Sequence, residues 1–178
     1  MSIDEVRLYE PVVHEDERGA FYESYNERAF NEWLGRPVRF VQDNHSTSRR
    51  GVLRGLHYQL PPSAQAKLVR VIRGSVFDVA VDIRRSSPTF GEWRGLEMTA
   101  DHHQQLWIPA GFAHGFLALT ENAEVQYKTS ALYAPDRDRV IRWDDPAIGI
   151  EWPLDGIEPL LSGKDRSAPS LDAAELFD

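Results

Sequence analysis

Cysteine is absent from the 178 residues, and methionine occurs only twice. The first absence removes thiol nucleophiles, thiolate zinc sites and iron–sulfur clusters. Positive charge is also in short supply: Lys+Arg 20 stand against Asp+Glu 28, a net charge of −8. Nucleic-acid backbones are held by a surplus of Lys and Arg, so this balance argues against a nucleic-acid partner. Long apolar runs are missing as well. The longest nearly uncharged stretch, residues 107–119, is too short to span a bilayer. The opening Met1-Ser2-Ile3-Asp4-Glu5-Val6 lacks the basic and apolar regions of a signal peptide. The expectation is a soluble, cytoplasmic protein with no membrane partner. Repeats and linker-like segments are absent too, so residues 1–178 read as a single domain, which at this length buries roughly two-thirds of its unfolded surface.

Between residues 46 and 119, short runs rich in Val, Ile, Phe and Trp are separated by turn residues. The runs cover 52–59, 67–72, 75–84, 93–98, 104–108 and 114–119. Such a cadence predicts an all-β fold, and ten or more strands with Pro and Gly at the turns fit a double-stranded jelly roll with a few short helices. Residues 75–84 alternate best, with Phe77, Val79, Val81 and Ile83 on one face and Asp78, Ala80 and Asp82 on the other. One helix is predicted, capped by Asn26, carrying Ala29, Phe30, Trp33 and Leu34, and ended by Gly35. A terminal turn is expected over residues 172–177, and residues 133–159 read as long loop or covering structure.

Charge placement gives the first chemical signal. From Asn44 through Phe77 there is no Asp or Glu, while Arg49, Arg50, Arg54, Lys67, Arg70 and Arg73 supply six positive charges, so the remainder carries −14. A basic cluster inside an acidic protein points to a small anionic ligand such as a phosphate or carboxylate. The plainer reading, that Arg49, Arg50 and Arg73 are solubilising surface charges, stands beside it at even weight. Arg54 and His57 are three apart, which regular pleating would send to opposite faces; Gly55 between them can host a bulge that brings them together.

Gly51 lies six residues before His57, and Pro109-Ala110-Gly111-Phe112-Ala113-His114 follows later. This spacing resembles the cupin superfamily, whose metal-binding members gather three His and one Glu. Here the second His position reads Gln59 and the acidic position reads Lys67. Two imidazoles and an ammonium suit a divalent cation poorly, so no catalytic metal is expected. A metal-dependent cupin oxygenase or isomerase is thereby disfavoured. The same groups suit proton transfer beside a ketone: His57 as base, Lys67 facing an enolate oxygen, and Tyr127, on a strand alternating with Val125 and Thr129, as acid. Taken one at a time, a buried His that merely satisfies its hydrogen bonds, or a strand Tyr that merely packs its ring, is the commoner case.

The ordered segments Asp16 through Glu23, Phe40 through Ser46, Gly51 through Gln59, Ala66 through Val69, Phe77 through Gly91, Trp107 through Phe116, Tyr127-Lys128 and Leu161 through Asp165 resemble the dTDP-4-dehydrorhamnose 3,5-epimerase family nearly end to end. That resemblance implies a jelly-roll homodimer that inverts C3 and C5 of dTDP-4-keto-6-deoxy-D-glucose without a metal or cofactor, in dTDP-L-rhamnose biosynthesis. It implies His57 as base, Asp165 as its carboxylate partner, Tyr127 as acid and Lys67 near the C4 oxygen. Arg18, Glu23, Gln42, Asn44 and Arg54 would hold the nucleotide and pyrophosphate, with the Arg18–Glu23 segment supplied by the partner subunit. Asp78 and His114 would line the sugar pocket and Tyr133 would sit near the base or sugar. His14 stands where family members often carry Phe against the thymine, and Tyr133 where they often carry Trp; both swaps keep a flat ring. Alternatives are a single-position C3 or C5 epimerase of a dTDP-deoxysugar pathway, a 3,4-ketoisomerase, or a non-catalytic nucleotide-sugar-binding jelly roll. Simple binding would not require His57, Lys67, Tyr127 and Asp165 together.

Overall fold

The computed structural model describes residues 3–178; Met1 and Ser2, the start of the N-terminal segment read above, lie outside the described residues. Twelve strands follow one another as β1 (Arg7–Tyr9), β2 (Val13–Asp16), β3 (Gly19–Tyr22), β4 (Gln42–Ser48), β5 (Leu53–Gln59), β6 (Lys67–Arg73), β7 (Ser75–Asp82), β8 (Trp93–Thr99), β9 (Gln105–Ile108), β10 (Phe112–Ala118), β11 (Ala123–Thr129) and β12 (Asp138–Val140), with helices α1 (Glu27–Leu34) and α2 (Gly163–Arg166). Two five-stranded antiparallel sheets form, ordered β1-β9-β6-β11-β4 and β12-β5-β10-β7-β8, while β2 and β3 pair apart as a hairpin. The cadence of short apolar runs thus gives an all-β, cupin-type jelly roll. No helix among the described residues is long and apolar enough to cross a membrane.

The core between the sheets is built from inward residues of both: Val69, Leu106 and Val125 from the first, Val76, Ala80, Met98, Phe112 and Phe116 from the second. Strand β7 is buried on both faces. Its Asp78 and Ala80 face the sheet interior, whereas Val79, Val81 and Ile83 pack outward against Ile141, Ile148 and Leu171, with Trp152 beside them. The stretch after residue 133 is therefore a covering layer over the second sheet, and it explains the fully apolar back of the 75–84 run.

Helix α1 forms where predicted. Asn26 accepts from the Ala29 amide at 3.2 Å, Gly35 closes the helix at φ 79°, and Phe30 is fully buried against Trp107 and Phe40. Helix α2 was not expected. Its cap is Ser162, which accepts from the Asp165 amide at 3.1 Å, in the Ser-x-x-Asp pattern that marks helix starts.

Strand β5 carries the anticipated bulge. His57 faces His114 and Arg54 faces Phe116, so three steps on β5 match two on β10. The extra residue turns Arg54 and His57 toward one cavity. Gly55 makes this possible: at φ 137° a Cβ there would meet Gly115 Cα at 2.6 Å. Gly55→Ala is expected to cost about 2 kcal/mol or more of unfolding free energy, a drop in denaturant midpoint that an unchanged melt would contradict.

Candidate active site

A cavity of about 460 Å³ opens at one end of the sandwich. Four of its lining residues, His57, Lys67, Tyr127 and Asp165, come from β5, β6, β11 and α2. Asp165 Oδ1 lies 2.8 Å from His57 Nε2, and Asp165 is only 3% exposed. Beyond this approach Oδ1 has no hydrogen-bond partner, while Oδ2 accepts from Ser162 Oγ at 2.7 Å. Burial pushes the Asp165 pKa up, but the His57 contact, Ser162 and the Gly55 amide outweigh it and hold the carboxyl below its usual range. The remaining ring nitrogen of His57, Nδ1, is thus the one free to act.

Lys67 is buried and its Nζ donates to the His57 carbonyl at 3.2 Å, with the Tyr127 ring centroid 5.9 Å away. Burial lowers its pKa to about 8 against the opposing charges of Asp78 and Asp138. Burial likewise raises the Tyr127 pKa, so its hydroxyl stays protonated at neutral pH. His114 is buried, and its Nε2 meets both oxygens of Asp78 at 2.9 and 3.0 Å. Asp78 itself lies behind this ring rather than on the cavity wall.

Gln42, Asn44, Arg54 and Tyr133 line the same cavity. Gln42 donates to Asn44 Oδ1 at 2.9 Å and accepts from the Tyr133 amide at 2.9 Å. Arg54 is held at the rim by Ser48 Oγ at 3.1 Å and the Thr47 carbonyl at 3.2 Å. The basic cluster expected between residues 44 and 77 does not converge, however. Only Arg54 and Lys67 reach the cavity; Arg70 turns to Gln126 on the far face of its sheet, because alternate strand residues face opposite ways, and Arg73, past the register shift between β6 and β11, sits by Glu124.

His14, Arg18 and Glu23 are not brought to this cavity. Arg18 is 85% exposed and pairs with Asp16 in the β2–β3 hairpin, His14 lines a shallow depression beside it, and Glu23 accepts from Asn26. Six further lining residues escaped the sequence reading, Tyr58, Gln65 and Phe116 among them. Ser46 belongs to a polar strand, Asp138 to an Asp-Arg-Asp-Arg run resembling solvated surface, and Ser162 was legible only through its cap pattern.

A cupin fold raises the question of a metal, and the donor set does not fit one. His57 and His114 each face a carboxylate, and Lys67 brings a positive charge between them. Gln59 donates to the Ser63 and Leu132 carbonyls at 2.7 and 3.1 Å and accepts from the Ala134 amide at 2.8 Å, which leaves its amide fully committed. Among the described residues no three His, Asp or Glu side chains group as ligands.

The fold and these groups define a cupin-type enzyme of the acid–base kind. Residues 1–173 match the family model for dTDP-4-dehydrorhamnose 3,5-epimerase, and the chain belongs to that family of isomerases. It is similar to the dTDP-4-dehydrorhamnose 3,5-epimerase of Pseudomonas aeruginosa, with 57% identity over 99% of this chain and 97% of the relative. A solved epimerase from Legionella pneumophila, in complex with dTDP-4-keto-L-rhamnose, superposes with a TM-score of 0.94 at 48% identity, over 98% of this chain and 92% of that one. A 3'-monoepimerase from Streptomyces bikiniensis in complex with dTDP-quinovose is also alike, with a TM-score of 0.89 at 42% identity over 97% and 86%.

Proposed function

We propose that the chain inverts C3 and C5 of dTDP-4-keto-6-deoxy-D-glucose to give dTDP-4-keto-L-rhamnose, within dTDP-L-rhamnose biosynthesis. The observation that carries this is the placement of a carboxylate-paired imidazole on one sheet and a protonated phenol on the other, with an ammonium near both. Inversion needs a proton taken from one face of a carbon and another returned to the opposite face, and two sheets facing each other supply the two sides.

In each half-reaction the C–H bond beside the C4 ketone breaks. Its proton goes to His57 Nδ1, whose charge the Asp165 carboxylate balances, and the electron pair moves onto the C4 oxygen. Lys67 faces that oxygen as it becomes an enolate. Tyr127 then returns its hydroxyl proton to the opposite face of the carbon and regains one from solvent, while His57 releases the proton it took to solvent before it serves the second carbon. Arg54, Gln42 and Asn44 hold the diphosphate and nucleoside end at the rim, Tyr133 lies by the sugar or base, and Asp78 orients His114 against the sugar.

The working unit is proposed to be a homodimer in which each hairpin, with His14, Arg18 and Glu23, completes the partner's cavity. Val12 and Phe21, 74% and 72% exposed at this hairpin, give it an apolar surface suited to burial. Light scattering should return twice the chain mass, and a monomer would overturn this arrangement.

Incubation with dTDP-4-keto-6-deoxy-D-glucose in D2O, followed by NMR, tests the reaction. Deuterium at both C3 and C5 with an L-configured product is expected; exchange at one carbon alone would select the single-position reaction, and none would remove epimerisation. Tyr127→Phe should slow net inversion about a hundredfold while washing-in of deuterium persists, because abstraction survives when the returning acid is lost. Equal loss of both would remove Tyr127 as the acid.

A further inference from the structure

Asp138 plays no part in the chemistry above, yet it is the one carboxylate besides Asp165 on the cavity wall. It stands on β12, paired with Gln59 of β5, and Val140 of the same strand faces His57. Its Oδ2 accepts from Lys164 Nζ in a short contact and from the Tyr133 hydroxyl at 3.2 Å. Lys164 is the neighbour of Asp165 in the four-residue helix α2. One oxygen therefore ties together the strand beside the base, the helix that carries the base's partner, and the aromatic ring at the mouth.

We infer that Asp138 is a positioning residue of the active site: through Lys164 it docks α2 so that Asp165 meets His57, and through Tyr133 it fixes the ring over the cavity. The inference rests on the reading of His57 and Asp165 as a catalytic pair. Helix α2 has a single turn and cannot hold its own orientation; its Ser162 cap fixes the turn locally, and the Lys164–Asp138 pair fixes it to the sheet. The carboxylate of Asp138 is 18% exposed in its side chain, so its charge also reaches inward. The groups facing Lys67 are Asp78 of β7, Asp138 of β12, the His57 carbonyl of β5, His114 of β10 and the Tyr127 ring of β11. Asp138 and Asp78 are the two anions in that set, and both favour the protonated amine.

Two single substitutions separate positioning from mere stability. Asp138→Asn keeps the shape and removes the charge; Lys164→Met cuts the same tie from the helix side and leaves the carboxylate in place. Each should lower kcat for deuterium exchange about ten- to a hundredfold, with the melting midpoint and dTDP affinity near wild type. The basic limb of kcat/KM should move to lower pH in Asp138→Asn, where Lys67 loses an anion. It should move to higher pH in Lys164→Met, where Asp138 loses its neutralising partner. Asp138→Glu should restore the limb. If wild-type protein exchanges deuterium and both variants match it in kcat, or if both limbs stay where they were, the positioning role is wrong. A wild type that exchanges nothing would instead overturn the proposed reaction. Should Asp138→Asn melt early, Lys164→Met decides alone through kcat and the direction of its limb.

Discussion

His57→Ala is expected to abolish deuterium incorporation at both C3 and C5 while the protein still binds dTDP. Removing a general base costs about a hundred- to ten-thousandfold, and here one imidazole is asked to serve both carbons, so the two exchanges should vanish together. The fold should tolerate the change: His57 is 32% exposed in its side chain, and the Lys67 contact is with its backbone carbonyl, which alanine retains. The variant does leave Asp165, 3% exposed, without its imidazole partner. Acid should then protonate Asp165 at higher pH than in the wild type, since the His57 contact is the leading cause that keeps its pKa low. Full exchange in the alanine variant would remove His57 as the base; loss at only one carbon would assign it to that carbon.

A second large effect is expected at Lys67, where activity and stability should move in opposite directions with pH. Its pKa falls from 10.5 to about 8 because burial penalises the ammonium more than Asp78 and Asp138 favour it. The enolate needs the protonated amine, so kcat/KM should decline as pH rises through about 8. In the unfolded chain the same amine keeps its proton to about pH 10.4. Between about pH 8 and about pH 10 the unfolded state therefore binds more protons than the folded state, and this group makes unfolding harder as pH rises. A falling rate with a rising melting midpoint in that window distinguishes deprotonation of Lys67 from alkaline denaturation, in which both would fall. Lys67→Met should lower the rate about a hundred- to a thousandfold and remove this group's part of the pH-dependent rise. The variant should also unfold at a higher midpoint near pH 7, since it no longer buries a charge. A midpoint below wild type would mean that the contacts of the ammonium outweigh its desolvation.

Much of this was legible from residue order, for stated physical reasons. Strands β5 to β10 announced themselves because their apolar residues pack on a sheet interior or under the covering layer. The joint placement of Arg54 and His57 was readable because a glycine lay between them. Strand β4 was opaque: its Gln42, Asn44 and Ser46 line the cavity while Asp43, His45 and Thr47 face away, so neither face has the apolar signature of a strand. The scattering of the basic segment was equally hidden, since a count of charges carries no direction and strand register decides which ones meet. Asp138 was invisible for a related reason. In the run Asp136-Arg137-Asp138-Arg139 nothing marks one aspartate as the inward one until β12 pairs with β5.

The amide of Gln59, tied to three backbone groups on two loops, decides how readily this site could take a metal. In the cupin pattern that the spacing of Gly51, His57 and His114 resembles, histidine stands at this place, and Gln59→His alone would not make a metal site here. An imidazole has two ring nitrogens and could satisfy at most part of what the amide now holds. An imidazole at this place would arrive together with freed loops around residues 60–63 and 132–134, and with an ammonium still at Lys67. A metal site at this place would therefore need several coordinated replacements, at Gln59, at Lys67 and in the loops that Gln59 ties, before any one of them was useful.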